Sequence, residues 1–93
     1  MIDAIIVEGR DNVATAIHEL RAGQTVITNR SDVISVVEAV PRGFKIARVD
    51  IGRHDHIIKY GVAVGVALSD IKRGEPVHVH NMGNLLTEWR WEA

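Results

Sequence analysis

The chain contains no cysteine among its 93 residues, which removes thiolate metal sites and cysteine nucleophiles and fits a reducing compartment. It also lacks a surplus of positive charge: 11 Lys and Arg stand against 12 Asp and Glu, for a formal net charge of -1. Such a balance provides no field for nucleic acid or anionic lipid. No apolar run approaches the roughly 20 residues needed to span a bilayer, and "MIDAIIVEGRDN" places Asp3 where a signal peptide wants a basic start. The expectation is a soluble, cytoplasmic protein with neither nucleic acid nor membrane among its partners. Length is short as well. A domain of this size buries only about 60–65% of the surface that its unfolded chain exposes. An enzyme pocket of roughly 300–1,000 Å3 would need a wall from another chain, so any active site is expected to be shallow or shared.

Short β-branched runs are plentiful. "DAIIVE" (3–8) reads as a strand ending at Gly9. In "RDNVATAIHELRAG", Asp11 or Asn12 can cap a helix, Val13, Ala16, Ile17 and Leu20 fall at i, i+3, i+4 and i+7, and Gly23 can end it. That pattern predicts one short helix, with His18 on the flank of its apolar face. From Gly23 onward the segments "QTVITN", "VISVVEAV", "FKIARV", "HIIKYG", "VAVGVAL" and "PVHVHN" alternate or run β-branched between breaks at 29–32, 41–43, Gly61 and Gly74. Many short strands with frequent turns predict a compact, mainly β single domain with that one helix.

A weak repeat runs through it: "ELRAGQTV" (19–26), "DIGRHDHI" (50–57) and "DIKRGEPV" (70–77). Each copy reads as one tight turn leading into a new strand. Gly23 and Gly74 accept the positive φ such a turn requires. His54 holds the same place in the middle copy, and histidine is among the non-glycine residues enriched there.

The chemistry-bearing groups are few. Strand alternation would put His78 and His80 on one side of "PVHVHN" and Val77 and Val79 on the core side. Neutral imidazole can bind a metal or act as a base, but two histidines fall short of the three or four ligands a metal usually takes. A solvated polar face is the default reading of such a strand. His54 and His56 flank Asp55 in a turn, where alternation does not hold. Trp89 and Trp91 bracket Arg90 in "NLLTEWRWEA", the composition of an interface anchor or of a tail folded over its own domain.

At "VPRGFKIARVDI", "IIKYGVAVGVA" and "GEPVHVHNM", after the "DNVATAI" segment, the sequence resembles the SAF domain of the altronate and galactarate dehydratase family. The likeness runs from about Ile5 to Met82. It implies a β-clip domain, placed over residues 1–83, and a larger dehydratase subunit; the C-terminal tail over 84–93, with its two tryptophans, is then a candidate segment for docking that partner. It also implies lyase chemistry on a sugar acid, commonly with a divalent metal such as iron held mainly by that larger subunit. The matching positions are Gly43, Lys45, Asp50, Lys59, Tyr60, Gly61, His78, His80 and Asn81.

From the resemblance, His78 and His80 become candidate proton-transfer groups or metal ligands shared with the partner. Lys45 and Lys59 become candidates for the substrate carboxylate, and Asn81 for a substrate hydroxyl. Phe44 stands where the family is expected to carry histidine, and His54 where it is expected to carry glycine. The reading is the small subunit of a heteromeric hydro-lyase for a sugar acid such as altronate or galactarate. Alternatives are a sulfolactate sulfo-lyase small subunit and a non-catalytic SAF module that binds carbohydrate or protein. A homo-oligomer paired through strand edges or the tryptophan tail is a third arrangement.

Overall fold

A computed structural model describes residues 1–85 of the chain. Trp89 and Trp91, and most of the tail assigned to partner docking, lie outside the described residues.

The turn repeat organises the fold, and it has four copies rather than three. Leu20–Val26, Val40–Ile46, Ile51–Ile57 and Ile71–Val77 each begin and end on a buried aliphatic residue. The fourth residue of each takes a left-handed φ: 86° at Gly23, 84° at Gly43, 76° at His54 and 93° at Gly74. Copies associate in pairs through mutual backbone hydrogen bonds, Leu20 with Val40 and Ile51 with Ile71. The second pair also exchanges caps: Asp50 accepts the Arg73 N–H at 2.8 Å and Asp70 accepts the Arg53 N–H at 2.9 Å. An acid before the aliphatic residue thus closes the turn of the other copy.

The strands of the described residues are β1 (Ala4–Ile5), β2 (Val13–Ala16), β3 (Thr25–Ile27), β4 (Val33–Ser35), β5 (Lys45–Ala47), β6 (His56–Lys59), β7 (Val62–Ala67), β8 (Pro76–Val77) and β9 (Met82–Gly83), and the four turns lead into β3, β5, β6 and β8. They form an antiparallel four-stranded sheet in the order β1-β2-β5-β8, a β3-β4 hairpin, and a three-stranded sheet in the order β6-β7-β9. The mainly β single domain expected from the sequence is therefore what the chain forms.

The predicted helix is not formed. Val13–Ala16 is an inner strand, paired with β1 on one side and β5 on the other. Both of its faces are covered. Val13 joins one core with Ala47, Ile51, Ile57, Ala67, Ile71 and Val77, whereas Ala14 and Ala16 join the other with Ala4, Ile6, Leu20, Val26, Ile34, Val40 and Ile46. A short strand apolar on both faces matches helical spacing by coincidence, and periodicity does not separate the two. Asp11 and Asn12, read as helix caps, bind the β6–β7 hairpin instead, and Gly23 is a repeat turn rather than a helix end. Fully burying each of the large aliphatic residues contributes about 1.5–3 kcal/mol relative to exposure. Pairing β2 into both cores therefore outweighs any local preference for helix.

Candidate functional site

Lys59 ends β6 and pairs across the hairpin with Val62. The loop between them is the two residues Tyr60 and Gly61, with φ of 59° and 73°. Two positive φ values in a two-residue hairpin define a type I′ turn, which favours Asn-Gly or Asp-Gly. The turn is held from outside. Asp11, only 3% exposed, accepts the Gly61 N–H on Oδ1 at 2.8 Å and the Tyr60 and Glu8 N–H groups on Oδ2 at 3.1 and 3.0 Å. Burial pushes the Asp11 carboxyl pKa up, but the backbone donors of Gly61, Glu8 and Tyr60 together outweigh it and hold the group below its ordinary value.

Asn12 continues the clamp along β6. Its Oδ1 accepts the Ile58 N–H at 2.7 Å and its Nδ2 donates to the His56 carbonyl at 2.9 Å. Arg48 then fixes the loop before β2, donating to the Gly9 carbonyl at 2.8 Å and the Asp11 carbonyl at 3.1 Å while its guanidinium forks onto Asp32. Sequence reasoning missed all four of these residues as determinants of the site. The available signal was an Asp-Asn pair directly before an apolar strand, which the helix reading absorbed.

Lys45 lies in a cross-strand row with Ile5, Thr15 and Val77. That row faces the core containing Val13, Ala47 and Val77, so the lysine stem is half-buried. Burial pushes the Lys45 ammonium pKa down and the nearby Lys59 charge pushes it further the same way. Among the described residues no ion pair involves either lysine. The Thr15 hydroxyl in the same row is buried without a hydrogen-bond partner. Lys59 places its ammonium 5.0 Å from the centre of the Tyr60 ring.

The "PVHVHN" stretch departs from its predicted strand. β8 stops at Val77, and the chain turns: the Asn81 and Met82 N–H groups both donate to the His78 carbonyl, at 3.0 and 2.8 Å. Strand alternation therefore ends before it can align the two histidines. Val79, expected in the core, is 73% exposed. Asn81 is buried and directs its amide into the turn, accepting the His78 N–H at 2.9 Å and donating to the Pro76 carbonyl at 2.8 Å. His80 is exposed on the turn. The half-buried His78 ring stacks on Phe44 with centroids 4.0 Å apart and planes tilted by 32°.

Phe44 packs with Ile46 against the first core, whereas Lys45 shares the face of Val77 and the second. Lys45 and the His78–Phe44 pair thus occupy opposite faces of the four-stranded sheet. The Lys59 charge acts on Lys45 and Asn81 is hydrogen-bonded to the His78 backbone, but the two groups lie on different faces and do not merge. Among the described residues no three His, Asp or Glu side chains gather to hold a metal. The metal implied by the resemblance does not fit this chain's residues alone, and none of the chemistry assigned to them runs through one.

Three other matched residues have structural duties: Gly43 and Gly61 supply left-handed turns, and Asp50 caps the Arg73 turn. His54, which departs from the family pattern, takes its left-handed place in the repeat while Asp55 beside it accepts the Gly52 N–H at 3.1 Å.

Residues 2–85 match the altronate/galactarate dehydratase SAF domain. The chain is similar to altronate dehydratase of Escherichia coli, 37% identical over 84 residues, a match that covers 90% of this chain and 17% of that protein. It is 33% identical over 87 residues to (2R)-sulfolactate sulfo-lyase subunit alpha of Chromohalobacter salexigens, covering 87% of this chain and 93% of that subunit. Galactarate dehydratase (L-threo-forming) of E. coli is 38% identical over 72 residues, covering 75% of this chain and 13% of that protein. The chain thus spans less than a fifth of the two dehydratases and nearly all of the sulfo-lyase subunit. On this match, with its four-turn β-clip architecture, the chain belongs to the SAF domain family of the altronate and galactarate dehydratases.

Proposed function

We propose that this chain is the small component of a cytoplasmic lyase that acts on a hydroxylated acid anion, together with a larger catalytic polypeptide. The observation that carries the reading is the lysine face: Lys45, half-buried, and Lys59 near it, without an acidic partner among the described residues. Two ammonium groups held in this way favour an anion between them. A substrate carboxylate supplies it.

Dehydration of a sugar acid such as altronate or galactarate takes the proton from the carbon beside the carboxylate and expels hydroxide from the next carbon. The enol product tautomerises to a 2-keto-3-deoxy acid. Charge grows on the carboxylate as the proton leaves, and fixed ammonium groups stabilise that growth. Lys45 and Lys59 bind and orient the carboxylate in this scheme, and the larger polypeptide covers the shallow face and excludes water. A divalent metal, iron by resemblance, belongs to that polypeptide. His78, on the other face of the sheet beside Phe44, and His80, exposed on the turn that follows β8, are the alternative proton-transfer or ligand groups, and Asn81 offers only the hydrogen-bonding capacity left over from its turn.

A second reading has its own support, since the sulfolactate sulfo-lyase subunit alpha matches over 93% of its length. There the same proton departs and sulfite leaves in place of hydroxide. Purification of the tagged chain from its host, with whatever larger polypeptide accompanies it, tests both readings through release of keto acid or of sulfite. Lys45→Ala and Lys59→Ala should each lower turnover in the assembly at least about 10-fold, the loss of one charge-assisted hydrogen bond. Unchanged turnover in these variants, with loss in a His78→Ala, His80→Ala double variant, would move the active face to the histidine turn. A chain that purifies alone and releases neither product from any of these acids returns it to the binding-module reading.

A further inference from the structure

Tyr60 is in the wrong place for a tyrosine chosen by the fold. It is the first loop residue of a type I′ turn, with φ of 59°, where asparagine, aspartate or glycine is preferred and a bulky side chain is a true outlier. Among the described residues the other two non-glycine residues at positive φ are Ser31 and His54, which are smaller or better tolerated there. Packing does not explain the choice. Tyr60 is 59% exposed, so its ring contributes little to either core. The turn is imposed by Asp11, whose buried carboxylate takes both loop N–H groups. The backbone cost is therefore met by a residue on a different element, and the Tyr60 side chain is left outside beside Lys59, with the Lys59 ammonium 5.0 Å from the ring centre. Residues kept in unfavourable backbone regions by their surroundings cluster at functional sites.

We infer that Tyr60 is a ligand-contact residue of the lysine face: its ring holds the Lys59 ammonium in place, and its phenol donates a hydrogen bond to the carboxylate of a bound hydroxy acid. The assignment rests on the hydroxy-acid reading above. Cation–π contact fixes a flexible lysine at low cost, and a phenol presents a neutral donor beside two cations without adding a third charge. Tyr60 supplies specificity that two lysines lack, because a phenol donates along one direction and distinguishes a carboxylate from a small spherical anion.

The test uses a substitution expected to move two readouts in opposite directions. Tyr60→Asn creates the preferred Asn-Gly turn, so it should raise the melting temperature by roughly 4 °C, the equivalent of relieving about 1 kcal/mol in a domain of this size. The same variant should bind galactarate about 10-fold more weakly, as read from the saturation of the Lys45, Lys59 and Gly61 amide shifts in NMR titrations at constant ionic strength. Tyr60→Phe keeps the ring and should lose part of that affinity with the melting temperature unchanged. Chloride should not reproduce the wild-type shifts. Three results overturn the inference: a Tyr60→Asn variant that binds galactarate as tightly as wild type, one that melts lower than wild type, or wild-type amides that galactarate leaves unmoved. Turnover of the assembled lyase is read separately, so the lyase reading can stand or fall without Tyr60.

Discussion

Replacing Asp11 with alanine should unhook the tip of the β6–β7 hairpin from the body of the domain. The carboxylate accepts three backbone N–H groups, those of Glu8, Tyr60 and Gly61, at 2.8 to 3.1 Å. Hydrogen bonds to a charged acceptor contribute about 1.5–3 kcal/mol each. Water reaches the exposed hairpin tip once the carboxylate is gone, so the lower value applies, and the three together amount to about 4.5 kcal/mol. In a domain whose whole stability is of order 5–15 kcal/mol, that is a large fraction.

Asp11→Asn keeps an acceptor for Gly61 but turns an NH2 toward the Tyr60 and Glu8 donors, and should cost about 3 kcal/mol. Urea denaturation measures both losses, and amide hydrogen exchange should quicken at Tyr60 and Gly61. The pH dependence supplies a second check. The folded carboxyl pKa lies below its ordinary value, so its contribution is present above the unfolded pKa of about 3.9 and is lost as pH falls through the depressed value. The gap between wild type and Asp11→Ala should therefore close in acid. An Asp11→Ala loss below about 1 kcal/mol, or unchanged protection of the Tyr60 and Gly61 amides, would refute the clamp.

Three further outcomes follow from the same structure. Gly23 and Gly74 have similar φ, 86° and 93°, but an added Cβ meets nothing within 4 Å at Gly23 and lies 2.1 Å from the Ser35 carbonyl oxygen at Gly74. In urea denaturation Gly23→Ala should cost about 1 kcal/mol from backbone strain alone, and Gly74→Ala about 3 kcal/mol or more once the clash is added. Arg48→Lys loses the fork onto Asp32 and the reach to two loop carbonyls, and should lower stability by about 2 kcal/mol. His18 directs Nδ1 at the Glu19 carbonyl and Nε2 at Asp3, both at 2.9 Å. Two acceptors favour the doubly protonated ring, and with the Glu19 carbonyl first and Asp3 second its pKa is raised. Its contribution is therefore complete below the unfolded pKa of about 6.5 and fades as pH rises through the folded value. NMR titration of the His18 ring should show that raised midpoint, and His18→Gln should abolish the pH-dependent loosening of the Asp3 and Ile27 amides.

Strands with one wet face are legible in the sequence because burial there imposes a period of two. Thr25–Ile27 and Val33–Ser35 each bury only their middle residue, and both fall inside runs identified by alternation. The turns are legible because a left-handed residue between aliphatic neighbours is a local requirement, which is why Gly23, His54 and Gly74 align with one another along the chain. The fourth copy, around Gly43, is not legible because "AVPRGFKI" (39–46) has Ala39 in place of the acid before its aliphatic residue. The histidine stretch was misjudged for a related reason. Asn81 closes a local turn with its side chain, and a side chain that replaces strand bonds leaves no periodic trace.

By itself, then, the sequence determined the mainly β class, the turn positions and the family, because these depend on residue-by-residue preferences and on order along the chain. Tertiary structure decided the rest. Whether Val13–Ala16 became helix or strand depended on two cores meeting across it, and whether Asp11 capped a helix or a hairpin depended on a loop 49 residues away. The placement of Lys45 and His78 on opposite faces of one sheet followed from cross-strand register. Register is set by long-range pairing and by which side is buried, and neither is written in any local stretch of the chain.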